Sequence, residues 1–346
     1  MGRFVFYNFA NITDHKIFPY RTIETSTSSF VFPKDQQPKQ PGDIDLGEGN
    51  ESFDSYLERT KTVAFLVIQN DSIQYERYFN KYTEESIVAS FSMAKSITSM
   101  LIGIAIEEGK IQSVDEPITN YIPELKPNGF DAVTIKHLLQ MTSGLDFNES
   151  YTNPFGHAAT FYYGTNLRKA INKLKLKDVP GEKFDYTSGT SQLLGLVLER
   201  ALRTQTISSY LEEKIWKPLG MEYDATWSLD RKKDGLEKTF CCLNARARDF
   251  AKLGRLYLHN GKWNGTQIVP EQWVEESTKL DTTEHSAPFY QYQWWLTKNA
   301  EQFYAKGILG QYIFVDPHKN LIIVRLGEKT SKVNWIKLIS RVVDSY

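Results

Sequence analysis

Two kinds of apolar pattern alternate along the chain, and their order outlines a fold. Near the start, "VAFLVIQNDSIQYERYF" reads as two strands joined by an Asn70-Asp71 turn, because short β-branched and aromatic runs flanking such a pair favour a hairpin. Near the end, "QYIFVDPHKNLIIVRLG" repeats that arrangement about a turn from Pro317 to Asn320, and "NWIKLISRVVDSY" closes with an amphipathic helix. Between them the spacing turns helical. Residues 92–108 carry Met93, Ile97, Met100, Leu101, Ile102, Ile104, Ala105 and Ile106 around most of the circumference, which marks a helix buried on all sides and closed by Gly109. "FDSYLERT", "TSQLLGLVLERALR", "SSYLEEKIW" and "ARDFAKLGRLYLHNG" predict further helices, with short helical pieces in "SVDEPITNYIPEL" and "TIKHLLQMTSGL". Strands at both ends with helices between imply an α+β fold: an antiparallel sheet built from both termini, flanked by helices, with a mainly helical inserted region. One domain over 51–346 is expected, with its sheet part at 51–90 and 225–346 and its helical part at 91–224. Residues 1–50, with Pro33, Pro38, Pro41, Gly42, Gly47 and Gly49 among polar residues, predict an extended arm.

Composition narrows the classes of function. A formal net charge of -1 over 346 residues, with no local run of Lys or Arg, gives no field for nucleic acid or an anionic membrane. The longest apolar runs, 64–68 and 321–324, are too short to span a bilayer. Cys241 and Cys242 are adjacent, so a mutual disulfide is expected to be strained, and no spaced pair exists for a disulfide framework or a zinc site. The six histidines are scattered, with His137 expected to pack or cap, so no metal constellation is predicted. The absence of a G-x-S-x-G elbow argues against an α/β-hydrolase, and neither a Walker A loop nor a dinucleotide fingerprint is present.

What remains is "SFSMAKSITSMLIGIAIEEG", where Ser92 and Lys95 sit one turn apart at the head of the most apolar helix. Ser-x-x-Lys alone is a weak pattern, yet among all the serines only Ser92 has a lysine three positions on. A lysine there loses hydration at a cost of several kcal/mol, roughly as for other buried ammonium groups, unless its pKa falls. A neutral amine beside Ser92 could take the hydroxyl proton, and the helix N-terminus would favour the oxyanion that serine attack creates. A further proton carrier is needed. Tyr151-Thr152-Asn153 and Tyr186-Thr187-Ser188 both offer a tyrosine, and the second is the stronger because a Pro-Gly turn and a helix with Ser and Thr at its head would hold it rigidly. Arg246 and Asp249 read as helix-start residues with a capping role.

Ser92-Met93-Ala94-Lys95, Tyr186-Thr187-Ser188 and "GILGQYIFVDP" together resemble the three signature elements of the serine beta-lactamase and penicillin-binding-protein superfamily. The likeness is to its class C-like branch of esterases and 6-aminohexanoate-dimer hydrolases and covers about residues 55 to 340. "HLLQMTSGL", "ARDFAKLGRLYL" and "GKWNGTQIVPEQWV" resemble structural segments of that branch. The resemblance implies a beta-lactamase/transpeptidase-like fold with the site between helices and sheet. It assigns Ser92 as the acylated nucleophile, Lys95 as its proton partner and Tyr186 as general acid/base. The amides of Ser92 and Ile308 would form the oxyanion hole, with Gly307 and Gly310 allowing close approach and Ser188 and Tyr151 contacting substrate. Trp294 and Trp295 could wall the pocket, although one inward and one covered is the better expectation.

The Lys-Thr-Gly of beta-lactamases is replaced, with Ala305 and Lys306 ahead of Gly307, which speaks against penicillin recognition. The expectation is therefore a serine hydrolase that cleaves a small-molecule carboxylic ester or amide through an acyl-enzyme, without metal or organic cofactor. The competing expectations are a D-alanyl-D-alanine carboxypeptidase or beta-lactamase, and a non-catalytic sensor or binding protein. The first residues hold no visible signal peptide, while the resemblance implies a periplasmic or surface location with the leader absent.

Overall fold

The computed structural model describes residues 9–41, 51–282 and 285–346. Part of the expected arm, including Gly42, Gly47 and Gly49, lies outside the described residues, as do residues 1–8. The strands in chain order are β1 Tyr20–Ile23, β2 Thr62–Gln69, β3 Ser72–Tyr78, β4 Val88–Ala89, β5 Ala225–Ser228 and β6 Leu243–Ala245. They continue with β7 Lys262–Trp263, β8 Thr266–Gln267, β9 Tyr290–Gln291, β10 Trp294–Leu296, β11 Phe303–Gly307, β12 Gln311–Asp316 and β13 Leu321–Gly327. Both predicted hairpins are present, β2 with β3 and β12 with β13. They meet in one antiparallel sheet of order β3-β2-β13-β12-β11-β10-β9. The two ends of the chain therefore share a sheet, as the pattern of the sequence predicts.

That sheet is covered on both faces, which explains why β2 and β13 read as near-continuous apolar runs. Along β2, Ala64, Leu66 and Ile68 join the main core beneath the helices, while Phe65 and Val67 point to a second core. The second core is closed by helices Phe53–Arg59 and Trp335–Asp344. On the main face lies helix Met93–Glu107, packed against helix Ser188–Leu202 and touching β11 and β12. Every residue from Met93 to Ala105 is buried, as expected for a helix that is apolar nearly all round.

Local structure corrects several expectations. Tyr20–Ile23, read as part of an arm, is a strand paired with β5 in a separate four-stranded sheet of order β1-β5-β6-β4. Its short burial-alternating run carries too little apolar signal to mark a strand by itself. Cys241 and Cys242 are joined to each other despite their adjacency. Arg246 precedes helix Ala247–Leu258 without a side-chain cap, its guanidinium going instead to the Glu85 and Asp224 carbonyls. Asp249 accepts from the Glu222 N–H and pairs with Lys252. His137 does cap, completing a reciprocal pair with Thr134 at the head of helix Ile135–Leu139.

Arg325 is a buried cation in the middle of β13. Its guanidinium donates to the carbonyls of Leu309, Gly310, Thr60 and Lys329 and to Thr62 Oγ1, and lies 3.5 Å from the Trp335 ring centroid. Gly310, at φ 83°, presses against this guanidinium so closely that a Cβ there would collide with it. One side chain thus ties the turn after β11 to the strand two places away. Arg325→Met would leave several carbonyls buried without donors, at about 1–3 kcal/mol each before relaxation. Urea unfolding is expected to show a loss of about 3 kcal/mol or more, with Arg325→Lys recovering only part because an ammonium cannot reproduce the fork.

Candidate active site

The site is built on a strand-turn-helix. Strand β4 pairs with β6, the Ser90 N–H donates to Leu243 O at 2.8 Å, and Phe91 then takes φ 45° in the left-handed region. This turn costs an ordinary L-residue about 1–2 kcal/mol, and it swings Ser92 out just before the helix begins at Met93. Between Val88 and Ala105, Ser92 alone is not fully buried. It stands at the N-cap position without using its own side chain as a cap, so its hydroxyl is left to other partners.

Lys95 is 1% exposed and supplies the first of them. Its Nζ donates to Ser92 Oγ at 3.0 Å and to Phe240 O at 2.7 Å, and reaches Ser188 Oγ at 3.5 Å. Aromatic rings close around it, Tyr186 at 5.2 Å and Phe240 at 5.8 Å from the ring centroids. Among the described residues no carboxylate forms an ion pair with it. Burial lowers its pKa to about 8, against a smaller upward pull from Glu149. Roughly a tenth of the population is therefore neutral at pH 7, and half at pH 8.

Tyr186 stands beside Ser92 and Lys95, its ring centroid 5.2 Å from Lys95 Nζ, and lines the same cavity as Ser92. The Asp185 N–H donates to Met141 O at 2.8 Å, and Thr187 caps helix Ser188–Leu202, so the tyrosine is fixed between two anchored neighbours. Its ring meets Tyr290 edge-on at 5.8 Å and Trp295 at 5.4 Å. Burial raises its pKa well above that of a free phenol, and the neighbouring Ser92 hydroxyl lowers it by less. At neutral pH Tyr186 holds its proton, whereas Lys95 can release one.

Ser188 and Tyr151 meet on Glu149, a residue that the sequence reading passed over. Glu149 accepts from Ser188 N–H at 2.7 Å, Ser188 Oγ at 2.6 Å and Tyr151 Oη at 2.6 Å. It thereby clamps the loop after "TSGLDF" onto the head of the Ser188 helix, beside Lys95. The only cue in the sequence is an acidic residue two positions before the singled-out tyrosine. Tyr151 itself is 46% exposed and lines the cleft mouth.

The third element abuts the turn that carries Ser92. A Cβ on Gly307 would strike the Ser90 carbonyl oxygen, so the strand can approach this closely only as glycine. Pairing of β11 with β12 ends at Gly307, and Ile308–Gly310 turns back with Leu309 at φ 62°. Gln311 Nε2 holds the Ile308 carbonyl at 3.2 Å, and Arg325 holds those of Leu309 and Gly310. The strand is not at the sheet edge, since β10 and β9 extend beyond it. Strand β10 pairs only with Phe303 and Tyr304, which leaves the end nearest Ser92 uncovered on that side.

Two cavities meet at Ser92 and Ile308. One, of about 360 Å³, is walled by Phe91, Ala158, Tyr162, Phe240, Cys241 and Leu309. The other, of about 560 Å³, contains Glu149, Tyr186, Trp295, Lys306 and Trp335. Trp295 does wall it, while Trp294 is buried and stacked on Tyr257. Lys306, though exposed, lies 5.5 Å from the Trp295 ring, and partial desolvation there lowers its pKa. Ser92 and Lys95 thus share a hydrogen bond, Tyr186 stands beside them, and Gly307 and Ile308 line the same cavity.

The arrangement suits proton transfer from a hydroxyl in a cleft with apolar and aromatic walls, and comparison with known proteins agrees. The sequence profile of the beta-lactamase family matches residues 50–334. The chain belongs to the beta-lactamase family. It is 28% identical over 292 residues to a 6-aminohexanoate-dimer hydrolase of Paenarthrobacter ureafaciens, covering 78% of this chain and 73% of that protein. A Bacillus anthracis structure described as a candidate 6-aminohexanoate-dimer hydrolase superimposes with a TM-score of 0.86 at 25% identity, over 96% of this chain and 92% of that one. A family VIII carboxylesterase shares the fold at a TM-score of 0.67 and 16% identity, over 85% of this chain and 94% of that one. The protein is accordingly a beta-lactamase-family hydrolase. Among its described residues no helix is long and apolar enough to cross a membrane.

Two outcomes follow for the lysine of this family member. Its folded pKa of about 8 lies below the ordinary 10.5, so the cost of burying it is full below pH 8 and fades as pH rises towards 10.5. Lys95→Met is expected to raise unfolding free energy at pH 7 by about 1–2 kcal/mol, after allowing for lost hydrogen bonds, with the gain shrinking above pH 8 in denaturant titrations. Because Glu149 holds the lysine pKa up, Glu149→Gln is expected to shift the midpoint of any lysine-dependent pH-rate profile below that of the wild type.

Proposed function

We propose that the protein hydrolyses carboxylic esters or amides through an acyl-enzyme on Ser92. The supporting observation is the buried Lys95 amine, 3.0 Å from Ser92 Oγ and poised to lose its proton near neutrality. Neutral Lys95 takes the hydroxyl proton as Ser92 Oγ attacks the substrate carbonyl. The tetrahedral oxyanion is held by the N–H groups of Ser92 and Ile308, the first of which also lies at the positive end of a helix. Tyr186 gives its phenolic proton to the leaving group and is reprotonated from Lys95. Water then enters, and the same groups run in reverse to free the acid.

The cavity of about 360 Å³ suits an aliphatic chain on one side of the scissile bond, which fits the short linear amide named for the 6-aminohexanoate-dimer hydrolase relative. Lys306 in the larger cavity supports a second reading, because a cation that shares the cleft with Ser92 could meet the carboxylate of a penicillin or of a D-alanyl-D-alanine peptide. A disulfide-joined Cys241 and Cys242 suits an oxidising compartment and so favours export.

Turnover of p-nitrophenyl esters and of linear amides, with fluorophosphonate labelling read by intact mass, tests the proposal. Ser92 is expected to carry the label, and Ser92→Ala to lose roughly 10⁴-fold or more in kcat. The kcat/KM is expected to rise with pH through a midpoint near 8, as Lys95 becomes neutral. A stable penicilloyl adduct on Ser92 would favour the second reading. Silence of wild type and variant alike across esters, amides and lactams would favour a binding protein.

A further inference from the structure

The segment from Phe240 to Cys242 touches the site twice. The Phe240 carbonyl anchors Lys95 Nζ at 2.7 Å, and Cys241 lines the apolar cavity that opens at Ser92. Cys241 and Cys242 are bonded to each other, and each residue is 3% exposed. Three hydrogen bonds hold their backbone. Cys241 N–H donates to Lys238 O at 3.0 Å, Trp227 Nε1 donates to Cys241 O at 3.1 Å, and Ser228 N–H donates to Cys242 O at 3.0 Å. Cys242 sits at φ 74°, a left-handed conformation that an L-residue seldom keeps without restraint.

We propose that the Cys241–Cys242 pair is a reversible redox site, reached by small dithiols through the substrate cavity, whose opening slows hydrolysis of long-chain substrates at Ser92. The second half rests on the reading of Ser92 as nucleophile. In the reaction, a thiolate of the dithiol attacks Sγ of Cys241. The bond between the two cysteines breaks, and Cys242 leaves as a thiolate that takes a proton from water. The second thiol of the reductant then displaces Cys241, which departs as a thiol, and the reductant leaves as a cyclic disulfide. Two electrons and two protons pass to the pair.

Opening has a mechanical consequence. Two sulfurs at bonding distance must separate to non-bonded contact, and the open space beside Cys241 is the cavity. A reduced Cys241 therefore intrudes where a long chain would lie. The small ring closed through the 241–242 peptide also opens, which removes a covalent restraint next to the carbonyl that aims Lys95. A short acyl group, which leaves the cavity empty, feels only the second effect.

Wild-type protein is compared before and after dithiothreitol, with thiols counted by alkylation and intact mass, and with p-nitrophenyl acetate and octanoate as substrates. Two thiols are expected to appear. The kcat/KM for octanoate is expected to fall at least about threefold more than that for acetate and to return on reoxidation with oxidised glutathione. Prior labelling of Ser92 with a long-chain fluorophosphonate should slow thiol appearance by filling the cavity. The Cys241→Ser/Cys242→Ser variant should lose the response to dithiothreitol. The proposal is overturned if two thiols are already present in untreated protein, if they form with no change in the octanoate-to-acetate ratio, or if they form as fast with Ser92 labelled. A failure of the fluorophosphonate to label Ser92 contradicts the nucleophile reading itself and removes the hydrolytic half, a result distinct from labelled, active enzyme that ignores reduction.

Discussion

An ammonium group withdrawn from water and left without a counter-charge is the constraint around which this molecule is organised. Lys95 reaches only a serine hydroxyl and a backbone carbonyl at close range, with a second serine at the limit of contact. Neither oxygen carries the formal charge that would hold the proton on the amine, and aromatic rings exclude solvent around it. A carboxylate placed where Phe240 O lies would keep the lysine permanently charged. The carboxylate that does act on it, Glu149, is engaged with Ser188 and Tyr151 and reaches Lys95 only through space.

The rest of the fold can be understood as what keeps that environment dry and in register. Helix Met93–Glu107 is buried on every side, so Ser92 and Lys95 cannot turn towards solvent together. The left-handed Phe91 aims Ser92 into the cleft, and Gly307 lets β11 close upon the same turn. Behind that strand, Arg325 and Gln311 secure the carbonyls of residues 308–310 from below. Three segments far apart in sequence are thus brought against one hydroxyl by a sheet that joins the two ends of the chain.

Much of this was legible in the residues themselves. Short β-branched and aromatic runs about turn residues gave both hairpins, the all-round apolar helix gave its own burial, and the unique Ser-x-x-Lys at its head pointed to the pair that the structure brings together. The unread parts share a physical cause, for they depend on contacts between distant segments. Tyr20–Ile23 becomes a strand only because β5 lies beside it. Nothing local tells Glu149 that the Ser188 helix will arrive at its carboxylate, and Arg325 looks like a flaw in an apolar strand until the 308–310 turn is in place.

The central claim concerns one proton, and it can be watched directly. With lysine carbon-13 labelled at Cε, the Lys95 resonance, assigned by its loss in Lys95→Met, would be followed by NMR across neutral and alkaline pH alongside the rate at which a fluorophosphonate modifies Ser92. The account predicts a common midpoint near 8 for both curves. A resonance that keeps its charged shift up to the ordinary lysine range, while Ser92 reacts at full rate at neutral pH, would contradict it.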